Sequence, residues 1–253
     1  MNDLKISVIT PSYNQGRFIK DTIETILSQN YQFYEHIIID GGSQDDTVDI
    51  LKAYKHLNWV SEPDKGSANA LNKGFAKATG DILTWLNSDD YYDEGVFTMV
   101  CETFHNNPGV DFVYGNLTYV DENKLTILND KTLKYSFDFL VNYYADAVRQ
   151  PAIFFRRELM NKVGKLDETL KIVFDYDLFI RMLKVAKILY IDKNFAFVRD
   201  YKETITKSNL RKQGLEILKV SRRNGGRVFN RLLLETIYRK LLFPNRAGVK
   251  KDK

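Results

Sequence analysis

The chain has 253 residues, 44% hydrophobic and 28% charged, with a formal net charge of +4; this fits one large α/β domain, or one with an appendage, and excludes a nucleic-acid binder working by bulk charge. A lone Cys101 rules out an internal disulfide framework and suits a reducing compartment, and with only three scattered histidines (His36, His56, His105) a zinc centre is not expected. No run approaches the ~20 apolar residues that span a bilayer and "MNDLKISVIT" lacks a signal peptide's layout, so a cytoplasmic setting is expected.

In chain order, Lys5–Thr10 reads as a buried strand ending at Pro11, followed by a loop and a helix on Ile19, Ile23, Ile26 and Leu27 that fades at Asn30. His36–Asp40 is a second buried strand closed by Gly41-Gly42-Ser43. Asp45 and Asp46 then cap a helix carrying Val48, Leu51 and Tyr54. Asn58–Ser61 is a third strand, Ala68–Ala78 a helix with Gly80 as its C-cap, and Ile82–Leu86 a fourth strand. This alternation predicts a mostly parallel sheet covered on both faces. Farther on, a helix is expected over Val96–Phe104 and an antiparallel hairpin over Asp111–Ile127, turning at Asp121-Glu122-Asn123. Phe137–Tyr144 resists assignment. Ala152–Phe155 and Ile188–Ile191 read as short strands, and Glu158–Val163 and Asp177–Val185 as helices.

Past Arg222 the sequence turns basic. Phe229, Leu233, Ile237 and Leu241 share one helical face, and Arg227, Arg231, Glu235 and Arg239 another, up to Pro244. That helix either packs its apolar face on the rest of the chain or on a second copy as a homodimer, or lies on an anionic membrane where each basic residue contributes about 1 kcal/mol.

Ligands of open α/β sheets sit outside the carboxyl ends of strands. Three polar clusters fall there: Pro11-Ser12-Tyr13-Asn14, Asp40-Gly41-Gly42-Ser43 and Asn87-Ser88-Asp89-Asp90. Each alone also reads as a turn. Adjacent Asp89 and Asp90 repel each other and lose solvation at the lip of a buried strand, an arrangement that calls for a compensating charge.

The stretches "SVITPSYNQGRFIKDTIETILSQNY", "IIIDGGSQDDT", "PDKGSANALNKGFAKATGDILTWLNSDD" and "GKLDETLKIVFDYDLFIRM" resemble, in order, the motifs of family 2 glycosyltransferases of the GT-A (Rossmann-like) fold. The resemblance covers residues 5 to 205 and implies two parts: a GT-A domain over 1–205 and a basic helical extension over 206–253. It also implies an inverting transferase that moves a sugar from a nucleotide sugar, most often a UDP-sugar, with Mn²⁺ or Mg²⁺ bridging the diphosphate. Asp89 takes the place of the metal-binding acid, while Asn87 stands where the family has the first acid of its D-x-D motif; Ser88 lies between them. Asp90 is expected to be a cap or supporting group. Asp40 matches an acid that accepts a hydrogen bond from the uracil N3–H. Pro11 and Tyr13 match the nucleotide-lining loop, although Tyr13 also suits surface packing, and Asp64 lies at the next strand end. Leu71 replaces an arginine of the family, so Lys73 or Lys65 is expected to substitute.

An inverting transfer needs one base opposite the leaving group. The resemblance assigns it to Asp175, which by itself also reads as an N-cap; Phe174 replaces the family's glutamate. Asp177 points elsewhere on a helix and reads as a cap or partner of Arg181. Gln150 and Arg199 look like positions beside donor and acceptor. The acceptor implied is a glycan, lipid-linked if the basic helix meets a membrane. Two alternatives stay open: a non-catalytic sugar- or partner-binding module, and a nucleotidylyltransferase-like enzyme, whose Gly- and Arg-rich loop "TPSYNQGRF" matches poorly. Nucleic acid is not an expected partner.

Overall fold

β1 (Ile6–Ser12) buries every one of its side chains, as a strand covered on both faces must. In the computed structural model, which describes residues 4–132, 136–143, 149–201 and 210–242, β1 is flanked by two parallel neighbours. β2 (Tyr34–Asp40) lies on one side with β3 (Asn58–Ser61) beyond it, and β4 (Ile82–Trp85) lies on the other. The crossovers are α1 (Ile19–Leu27), α2 (Thr47–Ala53) and α3 (Ser67–Lys77). Side chains alternate along each strand: Ile6, Val8 and Ile82 enter one cluster with Phe97 and Val100 of α4 (Val96–Asn106), whereas Ile9, Leu83 and Trp85 enter the other.

Beyond β4 the sheet becomes mixed. β8 (Ile153–Arg156) runs antiparallel to β4, and β6 (Phe112–Val120) antiparallel to β8. β9 (Ile188–Arg199) is parallel to β6, and the two-residue β5 (Tyr91–Tyr92) antiparallel to β9. The order is β3-β2-β1-β4-β8-β6-β9-β5, with β7 (Thr126–Asp130) paired to β6. The predicted hairpin turn is present: Asp121 Oδ1 accepts from the Asn123 and Leu125 amides, each at 2.8 Å.

Several expectations shift. Gly80 is not a C-cap, because α3 ends at Lys77 with Ala78 already extended; a Cβ on Gly80 would lie 2.6 Å from Ser7 Oγ and 2.7 Å from the Lys5 carbonyl, so glycine admits the close passage beside β1. Residues 137–142 form α5, capped by Ser136 Oγ accepting from the Phe139 amide at 3.2 Å. α6 (Arg157–Val163) matches its expectation, and α7 (Phe174–Leu183) begins three residues before the expected Asp177. β9 extends to twelve residues, since its pairing with β6 continues past the apolar run.

The chain past residue 205 holds two described helices, α8 (Leu210–Arg223), which periodicity did not reveal, and α9 (Arg231–Leu242). Ile217, Leu218 and Val220 of α8 and Leu232 of α9 are buried in the same cluster as Trp85 and Phe179. α9 opens with Asn230 as cap, its Oδ1 accepting from the Leu233 amide at 2.9 Å. The face α9 buries is Leu232 and Thr236, not the expected Phe229–Ile237 line: Phe229 is 87% exposed. Leu232 and Thr236 sit four apart, and Thr236 Oγ1 reaches the Gly214 carbonyl on α8 at 3.1 Å, so the contact with α8 selects the face. The side chains of Arg239 and Leu241, and everything from Pro244 on, lie outside the described residues.

Candidate functional site

β1 and β4 are neighbours whose onward connections diverge, to β2 on one side and toward β8 on the other, and such a switch point opens a crevice at the carboxyl ends of both strands. The loop after β1 is tied to the loop after β2. The Asn14 amide donates to Ser43 Oγ at 2.7 Å, Asn14 Oδ1 accepts from the Gln44 amide at 2.8 Å, and the Gly16 amide donates to Asp45 Oδ2 at 2.9 Å. Asp45 also accepts from the Thr47 amide at 3.1 Å, whereas Asp46, the N-cap residue of α2, makes no side-chain capping bond, so of the expected pair only Asp45 meets a first-turn amide. Pro11 is buried inside β1, whereas Tyr13 just beyond it is 60% exposed. A Cβ on Gly41 would lie 2.9 Å from Asp64 Oδ2 and 3.3 Å from Tyr13 Cδ2. An aromatic face, a bare backbone and a carboxylate therefore converge on one small area, a shape suited to a flat heterocycle.

Asp40 does not join that area. It is 0% exposed, and its carboxylate accepts from the Gly42 and Ser43 amides (3.1 and 2.9 Å), Ser43 Oγ (2.5 Å) and Ser61 Oγ (2.6 Å). Three of these donors meet Oδ2 and one meets Oδ1, so the buried carboxylate holds the turn after β2 and ties it to β3. Leu71 is core, and Lys73 Nζ is engaged by Glu62 at 2.6 Å, which leaves Lys65 as the exposed cation of that corner.

The loop after β4 holds the acidic pair. Ser88 and Asp90 are buried. Asp90 accepts from the Arg199 amide at 3.1 Å and from Asn87 Nδ2 at 3.2 Å, the supporting part expected of it. Burial, then the neighbouring Asp89 charge, pushes the Asp90 carboxyl well above the usual carboxylate range; burial also raises Asp89, against the hydrogen bond from Tyr201. Asp89 Oδ2 accepts from the Tyr201 hydroxyl at 2.8 Å.

Arg199, 2% exposed, stands behind this loop rather than toward a ligand. It donates to the Asp89 carbonyl at 2.6 Å, pairs with Asp21, and lies over the Phe18 and Tyr91 rings at 4.7 and 5.2 Å. Gln150 is likewise internal. Its Nε2 donates to the Trp85 carbonyl at 2.5 Å and its Oε1 accepts from Asn87 at 3.3 Å, so it braces the end of β4 beneath Asn87. Sequence reasoning missed Tyr201 and Asp21. Tyr201 lies 112 residues from Asp89, and no local pattern marks it.

Among the described residues no group of three or more His, Cys, Asp or Glu side chains is placed to hold a metal ion. The donor set at the lip is the single carboxylate of Asp89, backed by Asp90. That is too small for a cation bound by protein alone, but it fits one that arrives with a diphosphate supplying further oxygens, and the mutual repulsion of the pair is what such a charge relieves.

α7 packs against the end of β4: Phe179 stacks on Trp85, centroids 5.3 Å apart and planes 10° apart, Asp175 lies one turn before Phe179, and Asp175 Oδ1 accepts from the Tyr176 amide at 2.8 Å. Asp177 points away, 1% exposed, and accepts from Arg181 at 3.1 Å as expected and from Arg223 at 3.2 Å, which was not.

A family model described as "Glycosyl transferase family 2" matches residues 7–164. The chain belongs to that family. Among curated relatives of this glycosyl transferase, "Uncharacterized glycosyltransferase alr2836" of a Nostoc species is 28% identical over 209 residues, 78% of this chain and 65% of that protein. "Uncharacterized glycosyltransferase Rv1514c" of Mycobacterium tuberculosis is 31% identical over 188 residues, 72% of this chain and 70% of the other. The chain thus spans a little under two thirds of the Nostoc relative's length. In fold it resembles the crystal structure of S. aureus TarS 1-349 in complex with UDP-GlcNAc, at 18% identity and TM-score 0.70 over 95% of this chain and 73% of that one. The shared architecture is the GT-A type: a largely parallel core flanked by helices, with a helical C-terminal extension.

Proposed function

We propose that this chain is an inverting glycosyltransferase that moves a hexose or N-acetylhexosamine from a UDP-sugar to a hydroxyl of a glycan acceptor. The observation that supports the reading is that the Tyr13–Gly41–Asp64 corner and the Asp89 loop both follow the carboxyl ends of adjacent parallel strands, with α7, which carries Asp175 in its first turn, packed by Phe179 on Trp85 at the end of β4. A uridine diphosphate donor is supported by membership in the family and by the UDP-GlcNAc complex of TarS, whose fold this chain shares.

Tyr13 and Pro11 take the base, Gly41 lets it approach the backbone, and Asp64 accepts from it. Asn87 and Ser88 contact the ribose or sugar. Asp89 would hold Mg²⁺ or Mn²⁺ together with the diphosphate, and such a cation would supply positive charge beside the departing group. Asp175 accepts the proton of the acceptor hydroxyl as that oxygen attacks the anomeric carbon. Gln150 and Arg199 act from behind, holding Asn87 and the Asp89 backbone. Calorimetry of UDP with Mn²⁺ tests the donor half: Asp89→Ala should abolish the metal-dependent binding, and unchanged affinity refutes the assignment.

A lipid-linked acceptor is supported by α9. Leu234, Ile237 and Tyr238 are 67, 47 and 63% exposed on one face that also carries Arg231, and exposed Val228, Phe229 and Arg227 continue it. No described helix is long and apolar enough to cross a membrane. The mixture of apolar and cationic side chains favours an anionic bilayer over a second copy of the chain. Flotation with phosphatidylglycerol vesicles should lift the wild type but not Phe229→Glu/Leu234→Glu; equal flotation of both, or a dimer broken by the same changes, refutes the membrane contact.

A further inference from the structure

α7 starts with no side-chain cap of its own: Val173 is its N-cap residue and makes no such bond. The turn that delivers Asp175 is instead held from α8. Glu216 accepts from three successive backbone amides, Lys171 at 3.1 Å, Ile172 at 2.9 Å and Val173 at 3.3 Å, which end two residues before Asp175. Seven residues on, Arg223 donates to Asp177 at 3.2 Å and to Asp167 at 2.7 Å, thereby holding the segment on the other side of Asp175 and the loop upstream of it. Asp177 is buried, so its second cationic partner is costly to lose. The carboxylate of Glu216 also sits where the N-terminal helix dipole favours negative charge. The apolar contacts of α8 are through Ile217, Leu218 and Val220. The polar grip is therefore an arrangement beyond what packing the helix needs.

We propose that Glu216 and Arg223 are positioning residues for the base, and that α8 is part of the catalytic apparatus. The inference rests on the assignment of Asp175 as the base. A carboxylate must stand within hydrogen-bond reach of the hydroxyl it activates, and an error of about 1 Å there costs up to ~10²-fold in rate. Among the described residues Glu216 bonds the amides of residues 171–173. Its link to the donor corner is indirect, through Lys171 Nζ donating to the Lys65 carbonyl at 3.3 Å, so its loss should act on turnover far more than on donor binding.

The test is steady-state kinetics of the full chain, corrected for folded fraction and run well below Tm, alongside calorimetric UDP affinity. Glu216→Ala is expected to lower kcat about tenfold with donor KM and UDP affinity within twofold. Glu216→Gln, which keeps one acceptor oxygen, should recover part of that loss. Should Glu216→Ala not fold, Arg223→Lys against Arg223→Met carries the same test, lysine keeping the charge and more of the rate. A wild-type kcat per folded molecule, or equal damage to kcat and donor binding, overturns the proposal. Asp175→Asn separates the two assignments: if it is slow while Glu216→Ala is normal, only the positioning role falls, and if it turns over normally the base assignment falls first.

Discussion

The two sides of the crevice are built differently. On the donor side, the loops after β1 and β2 project from parallel strands and are locked by contacts among Asn14, Ser43, Gln44, Asp45 and Gly16 that span about thirty positions. On the side proposed for the base, the turn before Asp175 is held by Glu216 and Asp177 by Arg223, each more than forty positions away. The acidic loop is buttressed by Arg199, 110 residues from Asp89. The first two loops thus arise with the sheet, whereas the acidic loop and the start of α7 take their support from far along the chain.

Four measurements would break or sharpen that contrast. The largest effect is expected at the buttress. Arg199→Met removes one of the two cations paired with Asp21, Lys124 at 2.9 Å being the other, and strips the Asp89 loop of its support, so it should cost about 3 kcal/mol in a denaturant unfolding curve; a loss below about 1 kcal/mol would make Arg199 dispensable. Next, Asp175→Asn should slow turnover at least ~10²-fold, equivalent to about 2.7 kcal/mol, while UDP affinity stays put; a loss of both would mean that the two sides are not separable.

Third, Leu232→Ala should destabilise by about 2–3 kcal/mol while Phe229→Ala changes stability by less than ~0.5 kcal/mol, since the first empties core and the second trims an exposed ring. The reverse order would return α9 to the face that periodicity suggested.

Fourth comes a pH effect on the donor side. Burial, with a smaller contribution from His56, holds the His36 imidazole down at about 3, while its Nε2 bonds Thr10 Oγ1 at 2.9 Å. Unfolded, it takes a proton near its ordinary 6.5; between the two values the unfolded chain binds more protons, so stability falls with falling pH at up to about 1.4 kcal/mol per unit. Asp89 and Asp90, raised on folding, oppose this slope. Glu35, held down at about 2, adds to it only below its ordinary 4.5. The difference between wild type and His36→Gln over pH 6 to 4.5 isolates the imidazole, and parallel curves would show that His36 is not buried neutral.

Much of the architecture could be read from the chain. The first four strands and three helices lie within a few residues of where periodicity put them, because a doubly covered strand must be an apolar run and a half-buried helix must repeat every three to four residues. What could not be read was set at a distance. Asp40 is buried and braced by Ser61, 21 residues on, a partner that no local pattern shows. Gly80 was read as a cap, yet Ser7 and Lys5 demand it. α8 was not foreseen although its buried residues recur at helical spacing; what that spacing cannot report is that Glu216 and Arg223 reach the turn around Asp175.

Sequence alone determined the parallel half, the strand ends at which polar residues gather, and the adjacency of Asp89 and Asp90, because these follow from the local periodicity of burial and from covalent neighbourhood. Only the tertiary structure decided which of those residues face outward, which helix face of α9 is covered, and what supports Asp89 and Asp175. A side chain's exposure is set by whatever packs against it, and here those partners lie tens to more than a hundred positions along the chain.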